Sequence, residues 1–183
     1  EPRVHSGLQY HLDIGATVVD LADIPIPTHY WSGKSTKPAL DEGTDAGRDA
    51  LFLSQGAWSC QRGVRWGDNL YLRTWHDGYH PHWNDEMLFN IADDPHEQTD
   101  LAADEPELVS EAADMLSTWT EKESARGIGG MTEDPMDIVL EEGGPLHVRG
   151  HLPAYLDRLR ETDRAQWADA LVDRFPEDAQ PKS

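Results

Sequence analysis

The chain has 183 residues, of which 35 are acidic and 15 are basic, so its net charge is −20 at pH 7. This length suffices for about one buried core. The excess of negative charge opposes binding to nucleic acid or to an anionic membrane, because phosphate groups are bound by clustered lysine and arginine. We therefore expect neither as a partner.

Only four of the basic residues are lysines. An acid-rich, lysine-poor surface suits high salt, where charge repulsion is screened, so the composition favours a halophilic protein over an ordinary acidic one. The sequence contains no run of about 18 apolar residues, the length that a membrane-spanning helix needs. The chain begins with Glu1, so we expect the natural start to lie upstream, and the compartment is left open. The single cysteine, Cys60, excludes an intrachain disulfide and is typical of a small buried side chain.

The first predicted element is a helix that ends at Leu21. Three apolar residues fall at helical spacing after Asp13, which is placed as the N-cap. Prolines at positions 25 and 27 end this helix, and residues 25–49, which are rich in Pro, Ser, Gly and acids, are predicted as a loop. The three apolar residues are Ile14, Val18 and Leu21.

Four strands are predicted next from short apolar or alternating runs. Turn residues at Gly67 and Asp68 join the second and third strands as a hairpin. The segment Asp77–Asp85, rich in His, Pro and Trp, is too irregular for a tight turn. The strands are Ala50–Ser54, Trp58–Arg65, Asn69–Trp75 and Met87–Ile91.

A long helix is predicted from Pro106 to Glu123. Asp104 is placed as its cap and Pro106 in its first turn, and its apolar residues form one face. The glycines after residue 126 end it, residues 131–150 are predicted as a loop, and two short helices follow around Leu156 and Leu171. Strands followed by helices predict an α+β fold, an antiparallel sheet of about four strands with a packed helix. The apolar face comprises Leu108, Ala112, Met115, Leu116 and Trp119.

Three blocks of sequence resemble one enzyme family. Residues 87–101, MLFNIADDPHEQTDL, resemble the "LYDL…DP.E..NL" signature near the end of arylsulfatase-type sulfatases, which belong to the alkaline phosphatase superfamily. Residues 9–40 resemble a sulfatase helix and its "G-x-S" loop, and residues 62–74 resemble a sulfatase hairpin. The chain departs from the family at Ala16, where Pro is usual, and at Leu70, where Lys is usual. The matching positions are Asp13, Thr17, Leu21, Gly33 and Ser35 in one block and Arg62, Val64, Arg65 and Gly67 in the other.

The resemblance implies a division of the chain into three parts. Residues 1–49 would be the end of the large sulfatase α/β domain, residues 50–125 the C-terminal α+β subdomain, and residues 126–183 a helical C-terminal extension. By the same resemblance the formylglycine nucleophile, formed from Cys or Ser in a Cys/Ser-x-Pro-x-Arg motif, and a calcium-type ion lie in an upstream sulfatase domain. The chain would therefore be the C-terminal part of an enzyme that hydrolyses sulfate esters. By itself it would hold no catalytic or metal-binding residue and would be inactive.

The candidate site residues lie in the segment that follows the third strand. His80, His82 and Trp83 combine aromatic faces with polar ring atoms, and we expect them to contact a sulfated small molecule or carbohydrate beyond its sulfate group. With His76 and the neighbouring aspartates this density of histidine also suits zinc, but the spacing matches no zinc pattern. The paired acids at positions 93 and 94 are interpreted as turn caps rather than metal ligands.

Two other functions remain open on the sequence. The chain could be the tail of a related phosphodiesterase or phosphonate hydrolase, since the ends of these enzymes resemble those of sulfatases. It could also be a non-catalytic carbohydrate-binding module. The upstream sequence distinguishes the three, because each requires a different nucleophile motif or none.

Overall fold

The computed structural model describes residues 4–27, 29–44, 47–80, 82–127 and 133–179. Its centre is an antiparallel sheet of four strands in the order β1-β2-β3-β4, so each strand pairs with the next one along the chain. The predicted α+β fold is confirmed. No helix among the described residues is both long enough and apolar enough to cross a membrane. The strands are β1 (Ala50–Gln55), β2 (Cys60–Trp66), β3 (Asn69–His76) and β4 (Glu86–Asn90).

The predicted hairpin joins β2 to β3. Trp66 pairs with Asn69 across a two-residue turn, and Gly67 in that turn has φ of +50°, a backbone conformation that a residue without Cβ adopts at little cost. The pairing places Val64 opposite Tyr71, and both side chains are buried. The predicted hairpin is therefore present, and its register is given by the structure.

Helix α3, Pro106–Ala125, covers one face of this sheet. Ala112 and Leu116 are buried against Val64, Tyr71 and Leu88, which confirms the predicted apolar face. The predicted cap is wrong by one residue, because Glu105 occupies the N-cap position and Asp104 lies in the preceding turn.

Helix α1, His11–Leu21, starts earlier than predicted, and Asp13 is not its N-cap. Tyr10 takes that position, and the Asp13 carboxylate reaches back to accept a hydrogen bond of 2.8 Å from the Tyr10 backbone N–H. The same carboxylate accepts the Lys34 backbone N–H at 2.7 Å and pairs with the Arg48 guanidinium. Asp13 thus ties the start of α1 to two distant segments, a role that local sequence rules do not specify.

The apolar residues of α1 face away from the described part of the chain. Ile14, Val18 and Leu21 are 60%, 59% and 55% exposed, whereas Ala16 and Thr17 are buried. Ile14, Val18 and Leu21 share one face of the helix. The described residues therefore leave an apolar stripe on α1 uncovered.

Two segments predicted as loops contain helices. Residues 25–49 include α2, Lys37–Glu42, and residues 131–150 include α4, Pro135–Glu141. Helix α4 starts as α3 does, with an acidic residue followed by proline at the first helical position. Asp134 caps it by accepting the Met136 backbone N–H at 2.9 Å. The two loop predictions are wrong at these positions, because helices of six and seven residues are too short to show a helical repeat of apolar residues.

Helices α5, Leu152–Arg160, and α6, Ala165–Arg174, pair in a second apolar core. Tyr79, from the segment between β3 and β4, is buried in this core, and its hydroxyl donates to the Val148 carbonyl at 3.2 Å. The C-terminal helices therefore pack on the β3–β4 segment. The other buried members of the core are Val148, Leu152, Leu156, Leu159, Ala168 and Leu171.

Candidate substrate-binding loop

The β3–β4 loop, residues 77–85, is anchored at its first residues by a tight backbone turn. Asp77 is fully buried, and its Oδ1 accepts the Tyr79 backbone N–H at 2.7 Å. Gly78 has φ of +67°, and a Cβ built there would lie 2.0 Å from the carbonyl oxygen of Trp58. Only glycine fits this position, so the start of the loop has a fixed direction.

His76, at the end of β3, is buried and supports the turn rather than facing a ligand. Its Nδ1 accepts the Gly78 backbone N–H at 3.0 Å. Burial lowers the pKa of His76, although the negative charges of Asp77 and Asp178 oppose this shift. The ring is therefore neutral at pH 7, with its proton on Nε2.

The three predicted site residues lie in this loop, but they do not form one cluster. The rings of His80 and Trp83 are in contact, with centroids 4.7 Å apart. His82 instead contacts Trp167 of α6 edge-on, at 4.1 Å between centroids. His80 and His82 are exposed and Trp83 is partly buried. Pro81, between His80 and His82, lies outside the described residues.

Arg174, near the end of α6, holds the loop in place. Its Nη1 donates to the Trp83 carbonyl at 2.8 Å and lies 3.3 Å from Asp77 Oδ2, and its Nη2 pairs with Asp85. One guanidinium thus contacts both ends of the loop and its middle. The sequence does not indicate this role of Arg174, because the bond to Trp83 joins positions 91 residues apart and no local pattern signals it.

His82 and Trp83 line a cleft of about 320 Å³ between the loop and the turn that follows β4. Asp100 lies in this cleft and accepts hydrogen bonds from the Asn84 amide at 2.9 Å and from the Leu88 backbone N–H at 3.0 Å. Burial alone would raise the pKa of Asp100, but these bonds lower it on balance. An ionised carboxylate beside aromatic rings suits the hydroxyl groups of a sugar better than a sulfate anion.

The described residues do not fit a metal site of the kind that the family resemblance implies. No group of three or more His, Cys, Asp or Glu side chains converges within the described ranges. Asp94 is a turn cap, as predicted, since its Oδ2 accepts the backbone N–H groups of Gln98 and Thr99, each at 2.7 Å. No reaction step through calcium or zinc is therefore assigned to this part of the chain.

Comparison with known proteins gives a likeness of fold. No family model matches the sequence, and no curated protein matches it. Among solved structures, BT4656, solved in complex with its substrate D-glucosamine-2-N,6-O-disulfate, is 18% identical, with a TM-score of 0.50 over 67% of this chain and 25% of that one. The chain has the fold of a sulfatase C-terminal region. The sequence prediction is confirmed at that level.

Two further structures give weaker likenesses. BT33336S-sulf, from a Bacteroides thetaiotaomicron locus for metabolism of multiple glycosaminoglycans, is 20% identical with a TM-score of 0.45, over 58% of this chain and 24% of that one. The yidJ protein of Bacteroides fragilis, assigned as a sulfatase, is 19% identical with a TM-score of 0.42, over 68% of this chain and 25% of that one. The chain spans about a quarter of the length of the structures it matches.

Proposed function

We propose that this chain is the C-terminal part of a sulfatase that hydrolyses sulfate esters and that it shapes the mouth of the active site. One combined observation supports this proposal. Three sequence blocks resemble sulfatase segments and occur in the same order as in that family, and the chain shares its fold with the C-terminal part of solved sulfatases. The formylglycine nucleophile and the calcium-type ion of this proposal belong to an upstream domain.

The exposed stripe on α1 supports an upstream partner. Ile14, Val18 and Leu21 have the spacing of a core-facing helix surface, yet each is more than half exposed. An apolar stripe of this kind is typical of a surface that packs on another part of the protein. In the proposal, the upstream sulfatase domain covers it and residues 1–49 complete that domain.

The β3–β4 loop is proposed to contact the substrate beyond its sulfate group. His80 and His82 are exposed, and Trp83 lies beside the cleft that contains Asp100. These groups offer stacking surfaces and hydroxyl-binding atoms, which suit a sugar ring. They contact the ring of the substrate and leave the chemistry to the upstream domain.

The test is to assay the whole natural protein and the isolated 183-residue chain on an aryl sulfate and on an aryl phosphodiester, with calcium present. We expect the whole protein to hydrolyse the sulfate ester and the isolated chain to be inactive. Preference for the phosphodiester would support the phosphodiesterase alternative. Activity of the isolated chain that persists through repurification would contradict the proposal.

The docking role of α1 has its own test. Ile14→Glu combined with Val18→Glu should weaken the packing of the C-terminal part on the upstream domain and expose the junction to limited proteolysis. The matched control is Leu53→Glu combined with Leu146→Glu, which changes two exposed apolar residues outside α1. Equal protease sensitivity of the two variants would show that the stripe is ordinary surface.

A further inference from the structure

A second cleft, distinct from the β3–β4 loop, lies between the start of α1 and the end of α3. Its volume is about 670 Å³, and its wall includes four basic residues: Lys34, Arg48, Lys122 and Arg126. Only 15 basic residues occur in the whole chain, against 35 acids. The charged side chains that line the cleft comprise these four bases and two acids, Asp49 and Glu123. With the buried Asp13 that pairs with Arg48, the wall carries four bases and three acids, so the cleft is slightly positive within a strongly negative molecule.

The two arginines are held in fixed positions by carboxylates and carbonyls. Arg48 pairs with the buried Asp13 and lies over the Tyr10 ring, 4.8 Å from its centroid. Arg126 pairs with Glu123 at 2.6 Å and donates to the Ser32 hydroxyl at 2.9 Å. These contacts make both guanidinium groups part of a rigid wall, since neither has to be ordered when a ligand binds.

The two lysines differ from the two arginines of the cleft, which are paired with carboxylates. Lys34 and Lys122 are exposed and form no ion pair with any described residue. Most other bases are neutralised by a neighbouring carboxylate, as Lys37 is by Asp41 and Arg62 by Asp134. An ammonium group that has no carboxylate partner is available to an incoming anion.

Aromatic rings lie beside these charges. Trp31 is 40% exposed and lines the cleft. Phe52 and Trp119 also line it, and their rings are stacked in parallel with centroids 5.2 Å apart. Exposed indole faces bind the apolar faces of sugar and aryl rings, so the cleft combines a ring-stacking surface with uncompensated positive charge.

We propose that this cleft binds an anionic saccharide unit, with Lys34 and Lys122 contacting its sulfate or carboxylate group and Trp31 stacking on its ring. The anionic character follows from the cleft, whereas the choice of a sugar ring rests on the proposed function. In that function the cleft holds a second charged unit of a longer substrate, away from the residue being hydrolysed. A chain of net charge −20 repels such ligands elsewhere on its surface.

The test is calorimetric titration of the whole natural protein with three tetrasaccharides: a sulfated one derived from heparin, its desulfated carboxylate form, and neutral maltotetraose. Lys34→Gln with Lys122→Gln should weaken binding of the sulfated probe about ten-fold, about three-fold for each exposed charge pair lost. Trp31→Ala should weaken it about five-fold. Circular dichroism checks that each variant is folded.

The matched control removes two exposed positive charges outside the cleft, by Arg158→Gln with Arg164→Gln. An equal loss in this control would show that only net charge matters and would overturn the proposal. Unchanged affinity of the lysine variant, equal binding of maltotetraose, or failure of both anionic probes to bind at millimolar concentration would also overturn it. Equal binding of the two anionic probes would support the proposal and would show that the cleft binds the carboxylate group of the saccharide. Aryl sulfate hydrolysis by the unmodified protein reports separately on the proposed function.

Discussion

The ion pair between Arg62 on β2 and Asp134 at the start of α4 offers a direct test of how the sheet holds the C-terminal helices. Its side chains are only 10% and 13% exposed, and both guanidinium Nη atoms bond the carboxylate. The guanidinium also lies 5.7 Å from the ring centroid of Trp119. Asp134→Asn removes the charge but keeps the shape, and asparagine caps a helix as well as aspartate does. The substitution therefore isolates the ion pair.

The expected loss of stability follows from burial. Removing one partner of a buried ion pair costs about 3–5 kcal/mol, because the other charge is left uncompensated. Since a tenth of each side chain is still exposed, we expect a loss of about 3 kcal/mol. For a chain of this length that corresponds to a fall in melting temperature of about 6–12 °C. The control Asp41→Asn breaks the exposed pair with Lys37 and should cost less than about 1 kcal/mol.

The assay is urea unfolding, repeated across pH. Hydrogen bonding from Arg62 holds the pKa of Asp134 below its usual value. An aspartate with a lowered folded pKa contributes stability above its unfolded pKa, near 4, and that contribution is lost as pH falls through the folded pKa. The difference between the wild type and Asp134→Asn should therefore be constant above about pH 5 and shrink below pH 4. A loss under about 1 kcal/mol, or one equal to that of the control, would refute the reasoning.

Three further predictions follow from the core, the buried histidine and the loop. Leu116→Ala should cost about 2–4 kcal/mol in urea unfolding, and a loss under about half a kcal/mol would show that α3 does not bury this face. Burial lowers the pKa of His76, so its contribution to stability is present above the unfolded pKa near 6.5 and falls as pH drops below it. His76→Asn should flatten the slope of unfolding free energy between about pH 7 and pH 5, and an unchanged slope would exclude this role. If the whole natural protein is the proposed sulfatase, changing His80, His82 or Trp83 to Ala should raise its KM by the equivalent of about 1–3 kcal/mol, with little change in kcat. Wild-type kinetics in all three variants would show that the loop is only surface.

The sequence by itself determined the sheet and the long helix. Period-two alternation and the Gly67 turn depend on neighbouring residues, so they predict the β2–β3 hairpin without knowledge of the rest of the chain. The face of α3 around Leu116 follows in the same way from a 3.6-residue period. The sulfatase resemblance came from the same local blocks, and the fold confirms it.

Only the tertiary structure decided the roles of single polar residues and the surroundings of the loop. Asp13 looked like an N-cap, but Arg48 and the Lys34 backbone draw its carboxylate into a buried junction instead. The apolar spacing of α1 indicated a helix, yet it could not show that the face around Val18 is uncovered. Arg174 reaches the β3–β4 loop across most of a hundred residues. Such contacts depend on how separate elements pack, and a local sequence pattern does not contain that information.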